Sequence, residues 1–205
     1  MKKIMFSERY GLEQAVLAGT KTMTRRIIKG VYVAVVHLKY EGSFIGKTAD
    51  GESVILPQPA YHVGEEVAIA QPYKNDDVLN YNAYKEDGTA REDGLQRHKE
   101  MLGSKGYCNK MFVKAEYMPH RIRITGIKVE RLQDITEQEC ICEGIKIKKG
   151  NRNGECPFGE FTFDGWDDYS FTARDAFAAL IDRISGRGTW QSNPWVYAYT
   201  FELIK

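Results

Sequence analysis

The stretch Ala18-Gly-Thr-Lys-Thr-Met-Thr-Arg-Arg-Ile-Ile-Lys29 puts a turn, several hydroxyls and four cations into twelve residues. Lys21, Arg25, Arg26 and Lys29 follow a predicted helix, and the run from Gln14 to Tyr40 contains no Asp or Glu. The formal net charge of the chain is only +1, so this sign is a local choice. Cations grouped in this way commonly meet phosphate or another anion. The alternative is a solvated surface patch, the usual fate of Lys and Arg.

The helix before the stretch is short. Ser7 is placed to cap it, Leu12, Ala15 and Val16 share one face, and Gly19 is placed to stop it. Lys21 then falls where the carbonyls at a helix end favour a cation. The pattern Gly19-x-Lys21-x-x-Thr24-x-Arg26 after such a helix resembles the signature of the ASCH domain. Two further stretches, Val129 to Ile145 and Gly186 to Phe201, resemble a longer branch of that family found in phages and prophages. The resemblance implies an α+β fold: a PUA-like mixed β-barrel with about three flanking helices and long inserted loops.

Outward from the motif, Val31 to Leu38 is β-branched, with turn signals at Glu41-Gly42-Ser43 and Asp50-Gly51 around two short strands. Gly64 marks the turn into a strand ending at Ala70. Residues 74–110 match nothing in the family and are expected to be a long insertion with a short helix near Leu95–Leu102. Met111 to Tyr117 is expected to be a strand. In the next strand Ile122 and Ile124 have the opposite parity to Ile127 and Val129, and a bulge at Gly126 would bring all four to one side. Arg121 and Arg123 alternate with these core positions. Thr136 and Glu139 fit a capping box opening a helix that ends at Gly144. Residues 145–168 read as a smaller excursion, basic at Lys146, Lys148, Lys149 and Arg152, then acidic. Thr172 caps a helix with a stripe at Phe177, Leu180, Ile181 and Ile184, and Gly186 stops it. The run Trp195 to Leu203 reads as a strand apolar on both faces.

The 205 residues fit one domain, 1–205, large enough to bury a core. No apolar run is long enough to span a bilayer, and Met-Lys-Lys-Ile-Met-Phe lacks a signal-peptide h-region. The expectation is a cytoplasmic protein, in a bacterium or a phage-infected cell, with no membrane partner. Cys108, Cys140, Cys142 and Cys156 form no Cys-x-x-Cys pair, and the histidines are scattered, so free thiols and no metal site or cofactor are expected.

Two chemistries are open. One is recognition of RNA, single-stranded nucleic acid or a modified nucleoside at the cleft around Gly19 and Lys21. Arg25, Arg26, Arg121 and Arg123 would meet the backbone, and Tyr73, Trp190, Asn193 and Trp195 would lie along the cleft. For both tryptophans core packing is the competing reading, and Asn193-Pro194 is also a turn signal. The other is suggested by the family resemblance: compact ASCH members deacylate acetylcytidine with the motif lysine as base, the motif threonine as nucleophile and a strand glutamate as acid. The matching positions are Lys21 and Thr24. Repulsion from Arg25 and Arg26 would favour a neutral Lys21. Arg123 stands where those enzymes carry glutamate, which leaves Glu66 and Glu116 as candidate acids. A third reading, a phage accessory or morphogenesis protein, rests on labels carried by the longer branch.

Overall fold

The structure is a computed structural model that describes residues 1–30, 32–37, 44–148 and 160–204, with Val36 and His37 described by backbone alone. The turn at Glu41-Gly42-Ser43, the cations Lys149 and Arg152, and Cys156 lie outside the described residues. In chain order the elements are β1 (Lys2–Ile4), α1 (Leu12–Leu17), β2 (Met23–Ile27), β3 (Ala34–His37), β4 (Phe44–Lys47), β5 (Ser53–Ile55) and β6 (Glu66–Ile69). There follow α2 (Asp76–Ala83), α3 (Gly94–Leu102), β7 (Arg121–Arg131), α4 (Glu137–Cys142), β8 (Lys146–Lys148), β9 (Glu160–Thr162), α5 (Ala173–Ser185), α6 (Thr189–Ser192) and β10 (Trp195–Ile204). Among the described residues, no helix is long and apolar enough to cross a membrane.

The fold is α+β. Its main sheet runs β1-β6-β7-β10-β2, with β1 parallel to β6 and the other pairs antiparallel. The sheet is open, with β1 and β2 at its edges, so the described strands do not close into the expected barrel. A three-stranded sheet, β3-β4-β5, lies beside it, where the Phe44 ring meets that of Tyr197 at 5.6 Å. The strand β10 lies between β7 and β2, and its Val196 to Tyr199 are buried on both faces. The expected bulge is present: Thr200 pairs with Gly126 and Phe201 with Ile124, so the register skips Thr125. Ile122 and Ile124 are fully buried, and Ile127 and Val129 pack against the same core.

Among the described residues six α-helices form where about three flanking helices were expected, and most of the difference lies in residues 74–110, where the helix expected near Leu95–Leu102 is α3 and α2 is added. Asn75 caps α2 with its side chain, and Asn82 holds the unit by donating to the carbonyls of Val78 and Tyr117, each at 2.8 Å. Tyr73, Val78, Met101, Val113, Tyr117 and Met118 make a core of their own beneath α2 and α3. The expected strand at Met111–Tyr117 is replaced by 3-10 turns at Lys110–Phe112 and Ala115–Tyr117. The Lys3 ammonium takes the carbonyls of Met111 and Val113, so these two groups are satisfied outside any ladder. Ser7 does not cap α1 with its side chain. Gly11, at φ 65°, is the N-cap, and the Ser7 carbonyl accepts the Leu12 N–H.

Candidate functional site

The motif is fixed between two helix ends. Gly19, at φ 71°, turns the chain out of α1, and the Lys21 N–H returns to the Ala15 carbonyl. The Thr22 N–H then donates to the carbonyl of Cys142, at the end of α4. The capping box of Thr136 and Glu139 starts α4, as its sequence predicts, and Glu143 is its C-cap. The next residue, Gly144, sits at φ 104°, and a Cβ there would come within 2.9 Å of Leu12 Cδ2. Glycine therefore allows α4 to end directly against α1 and Lys21.

At this junction Lys21 is 2 % exposed. Its ammonium donates to the carbonyls of Met23 and Glu143 and to Glu143 Oε2, each at 2.7 Å. It is the end of α4, rather than that of α1, that supplies an orphan carbonyl to this cation. Burial pushes the Lys21 pKa below its ordinary value; the attraction and hydrogen bond of Glu143 oppose the shift, and Arg26 and Arg25 add to it. The repulsion expected from the sequence thus has the right sign, but desolvation is the larger cause.

Arg25 lies beside the pair. Its Nη1 donates to Glu143 Oε1 at 3.0 Å, its Nε and Nη2 to Glu130, and its Nη2 also to Glu139. Lys128 joins Glu130 and Glu139 from the solvent side. The pairing of Ala198 with both Arg25 and Lys128, and of Val196 with Glu130, puts these three residues on one face of the sheet. Burial works against the Arg25 charge, but Glu143 and Glu130 outweigh it and hold the guanidinium more firmly protonated than usual. Three cations and three carboxylates are thereby paired in one network.

A cavity of about 270 Å³ opens on this network. Lys21, Thr24, Arg25, Arg26 and Glu143 supply its polar wall. Phe6, Leu12, Phe177, Leu180 and Ile181 supply the apolar wall, so the stripe of α5 faces it. Thr24 is 5 % exposed, and its hydroxyl makes no hydrogen bond among the described residues. Arg26 donates to the Met5 carbonyl at 3.0 Å and meets no carboxylate there. Among the described residues, no group of three or more His, Cys, Asp or Glu is arranged to hold a metal ion.

The other residues singled out in the sequence lie elsewhere. Glu66 is exposed on β6, where Arg123 joins it to Glu202. Glu116 is exposed in the turn Ala115–Tyr117, and Arg121 lies on β7 opposite Ala68 and Ile204. Tyr73 is buried in the small core beneath α2 and α3, and its hydroxyl accepts the Lys114 N–H. Trp190 stands edge-on to Phe177, and Trp195 donates to the Tyr32 carbonyl with Arg131 over its ring. Asn193, at φ 44°, is a turn residue whose Oδ1 accepts the Gln133 N–H. None of these lines the cavity.

Glu143, the carboxylate that does line it, was not singled out by the sequence reading. A signal was available. An acidic residue at the C-terminal end of a helix opposes the helix dipole, so its presence before Gly144 calls for a cation nearby. Scanned against models of known protein families, the chain matches none, and no curated protein or solved structure shows significant similarity to it.

Proposed function

We propose that the cavity at Lys21–Arg26 recognises one modified nucleoside and hydrolyses its acyl amide. The observation that supports this is the meeting of Lys21, Thr24 and Glu143 on the polar wall of one cavity whose other wall is apolar. A site of this size and lining suits a small ring compound. The reading keeps the ASCH resemblance and takes the open sheet, with β3-β4-β5 beside it, as a PUA-like architecture left unclosed between β1 and β2.

Recognition of a nucleoside is favoured over recognition of a nucleic-acid strand by the pairing of the cations. Lys21 and Arg25 are neutralised by Glu143, Glu130 and Glu139, and Arg123 by Glu66 and Glu202. Paired cations release few counterions from a phosphate backbone, so they contribute little affinity for it. Tyr73, Trp190 and Trp195 are committed to packing and offer no open stacking wall.

In the proposed reaction the resting ammonium of Lys21 has no lone pair to offer, since three acceptors surround it. Moving one proton across the 2.7 Å contact to Glu143 Oε2 makes a neutral amine and a carboxylic acid. The amine takes the Thr24 proton as Oγ1 attacks the acyl carbonyl, and Arg26 donates to the oxyanion. Glu143 gives its proton to the departing nitrogen. Water then releases the acyl group from Thr24. Glu143 thus fills the acid's place that Arg123 leaves empty.

Incubation with N4-acetylcytidine and related acylated nucleosides, followed by chromatography, tests the proposal. The expected result is release of the free nucleoside, with a loss of about 10²-fold or more in Lys21→Ala and Thr24→Ala. No turnover on any of them removes the hydrolase reading. A steep salt dependence of RNA binding, lost in Lys21→Ala, would put strand recognition in its place.

A further inference from the structure

The cavity is bordered by a strand edge as well as by side chains. In the pairing of β2 with β10, the Phe201 N–H donates to the Thr22 carbonyl and the Ile28 N–H to the Trp195 carbonyl. The register between them is regular, with Tyr199 opposite Thr24 and Tyr197 opposite Arg26. Antiparallel ladders alternate between bonded and non-bonded pairs. Thr24 and Arg26 therefore spend their backbone groups on β10, whereas Met23, Arg25 and Ile27 direct theirs outward. The Met23 carbonyl confirms the direction, since it accepts from the Lys21 ammonium in the cavity wall.

The strand β2 is an edge among the described strands, so none of them takes the outward groups. No described residue bonds to the Arg25 N–H or C=O from that side. Arg25 itself is 7 % exposed and lines the cavity. With the side chain only 1 % exposed, what Arg25 leaves open is chiefly this donor and acceptor, and without a partner among the described residues they form a recognition element for a ligand.

We infer that the outward edge of β2 reads the base: the Arg25 N–H donates to a ring acceptor, and the Arg25 C=O accepts from the neighbouring amino group. The N–H and C=O of one extended residue point the same way, a short distance apart, as do the ring nitrogen and exocyclic amine of cytosine or adenine. A peptide strand is the other natural partner of a sheet edge. It needs about 3.3 Å of open groove per residue. Here the Met5–Ser7 segment lines the same cavity and is tied to β2 by the Arg26 bond to the Met5 carbonyl. The space beside the edge is about 270 Å³, which suits a ring. This inference rests on the nucleoside reading given above, and it assigns the base-reading contacts to backbone while Lys21, Thr24 and Glu143 serve the substituent.

The test is a titration of the isotope-labelled wild-type protein, followed by the Arg25 amide resonance. Cytidine and adenosine are the probes. Each is compared with its ring-deaza analogue, 3-deazacytidine or 1-deazaadenosine, and with its N,N-dimethylated amine. The expected result is that one parent nucleoside binds and moves the Arg25 amide downfield, and that both of its altered forms bind at least about tenfold more weakly. If the altered forms bind as tightly as the parent, the backbone assignment is overturned and nucleoside recognition stands. If no nucleoside disturbs the cavity residues, the recognition reading falls and takes this inference with it.

Discussion

Two arginines on the same sheet make the same kind of contact and live under different physics. Arg25 meets Glu130, Glu139 and Glu143 with its side chain 1 % exposed. Arg123 meets Glu66 and Glu202 with its side chain 44 % exposed. In water an ion pair exchanges one good environment for another and gains little. In the interior the solvent has already been lost, so each charge depends on its partners. Ion-pair chemistry that looks equivalent in sequence is dispensable at one end of the sheet and obligatory at the other.

The strongest way to break the comparison is Glu143→Ala. It leaves Lys21 without its carboxylate and Arg25 without one of three, both in the interior. The expected cost is about 3–5 kcal/mol in chemical denaturation. A loss under about 1 kcal/mol would mean that water reaches the network freely. Glu130→Ala removes a partner nearer the surface and should cost less, about 1–3 kcal/mol. A variant equal to Glu143→Ala would show that the network has no inner and outer member.

Acid sharpens the contrast. Burial alone would raise the Glu139 pKa, but bonds from Lys128 and the Thr136 N–H, with the attraction of Arg25, bring it below its usual value. A carboxylate held lower in the folded state contributes stability that is complete above its unfolded pKa and lost as the pH falls through the folded one. Glu139→Gln should therefore be less stable than wild type near neutrality and flatten the fall of the denaturation midpoint between about pH 5 and about pH 3. An unchanged slope would assign the acid sensitivity elsewhere. Lys21 acts in the same sense at higher pH: its lowered pKa makes stability grow as the pH rises toward the ordinary lysine value. The smallest effect is expected at Arg123→Ala, whose denaturation midpoint should match wild type, with or without high salt. A clear shift would show that Glu66 and Glu202 repel each other strongly enough to need it.

These contrasts also explain what could be read in the sequence. Local rules worked where one turn of chain holds the whole cause. The Thr136–Glu139 capping box, the Thr172 cap of α5 and the bulge at Gly126 follow from hydroxyls, carboxylates and parity within a few residues. The cationic stretch was legible as a local cluster, and its Lys21, Thr24, Arg25 and Arg26 line one cavity. Glu143 was missed because its bond to Lys21 joins residues 122 apart, and spacing carries no information over that distance. Within residues 74–110 the helix expected near Leu95–Leu102 forms as α3, whereas α2 was not legible because it is polar along most of its length and is held by Asn82 and a small separate core. Burial decided the aromatics. Tyr73 and Trp195 have a stacking composition, but the carbonyls and amides beside them hold them as structural parts.

The place of β10 between β7 and β2 bears on how the protein is made. Among the described strands β2 finds its sheet neighbour there alone, and 163 residues separate Tyr32 from the Trp195 that bonds to it. Contacts of such separation form late and slowly. A ribosome moves at about 5–20 residues per second, so the motif strand spends roughly 10–30 seconds as an unpaired ribbon before its neighbour emerges. The charged network does not exist during that interval. Lys21 and Arg25 are then solvated cations on a nascent chain, and it is β10, once paired with both β2 and β7, that sets Arg25 on one face with Glu130.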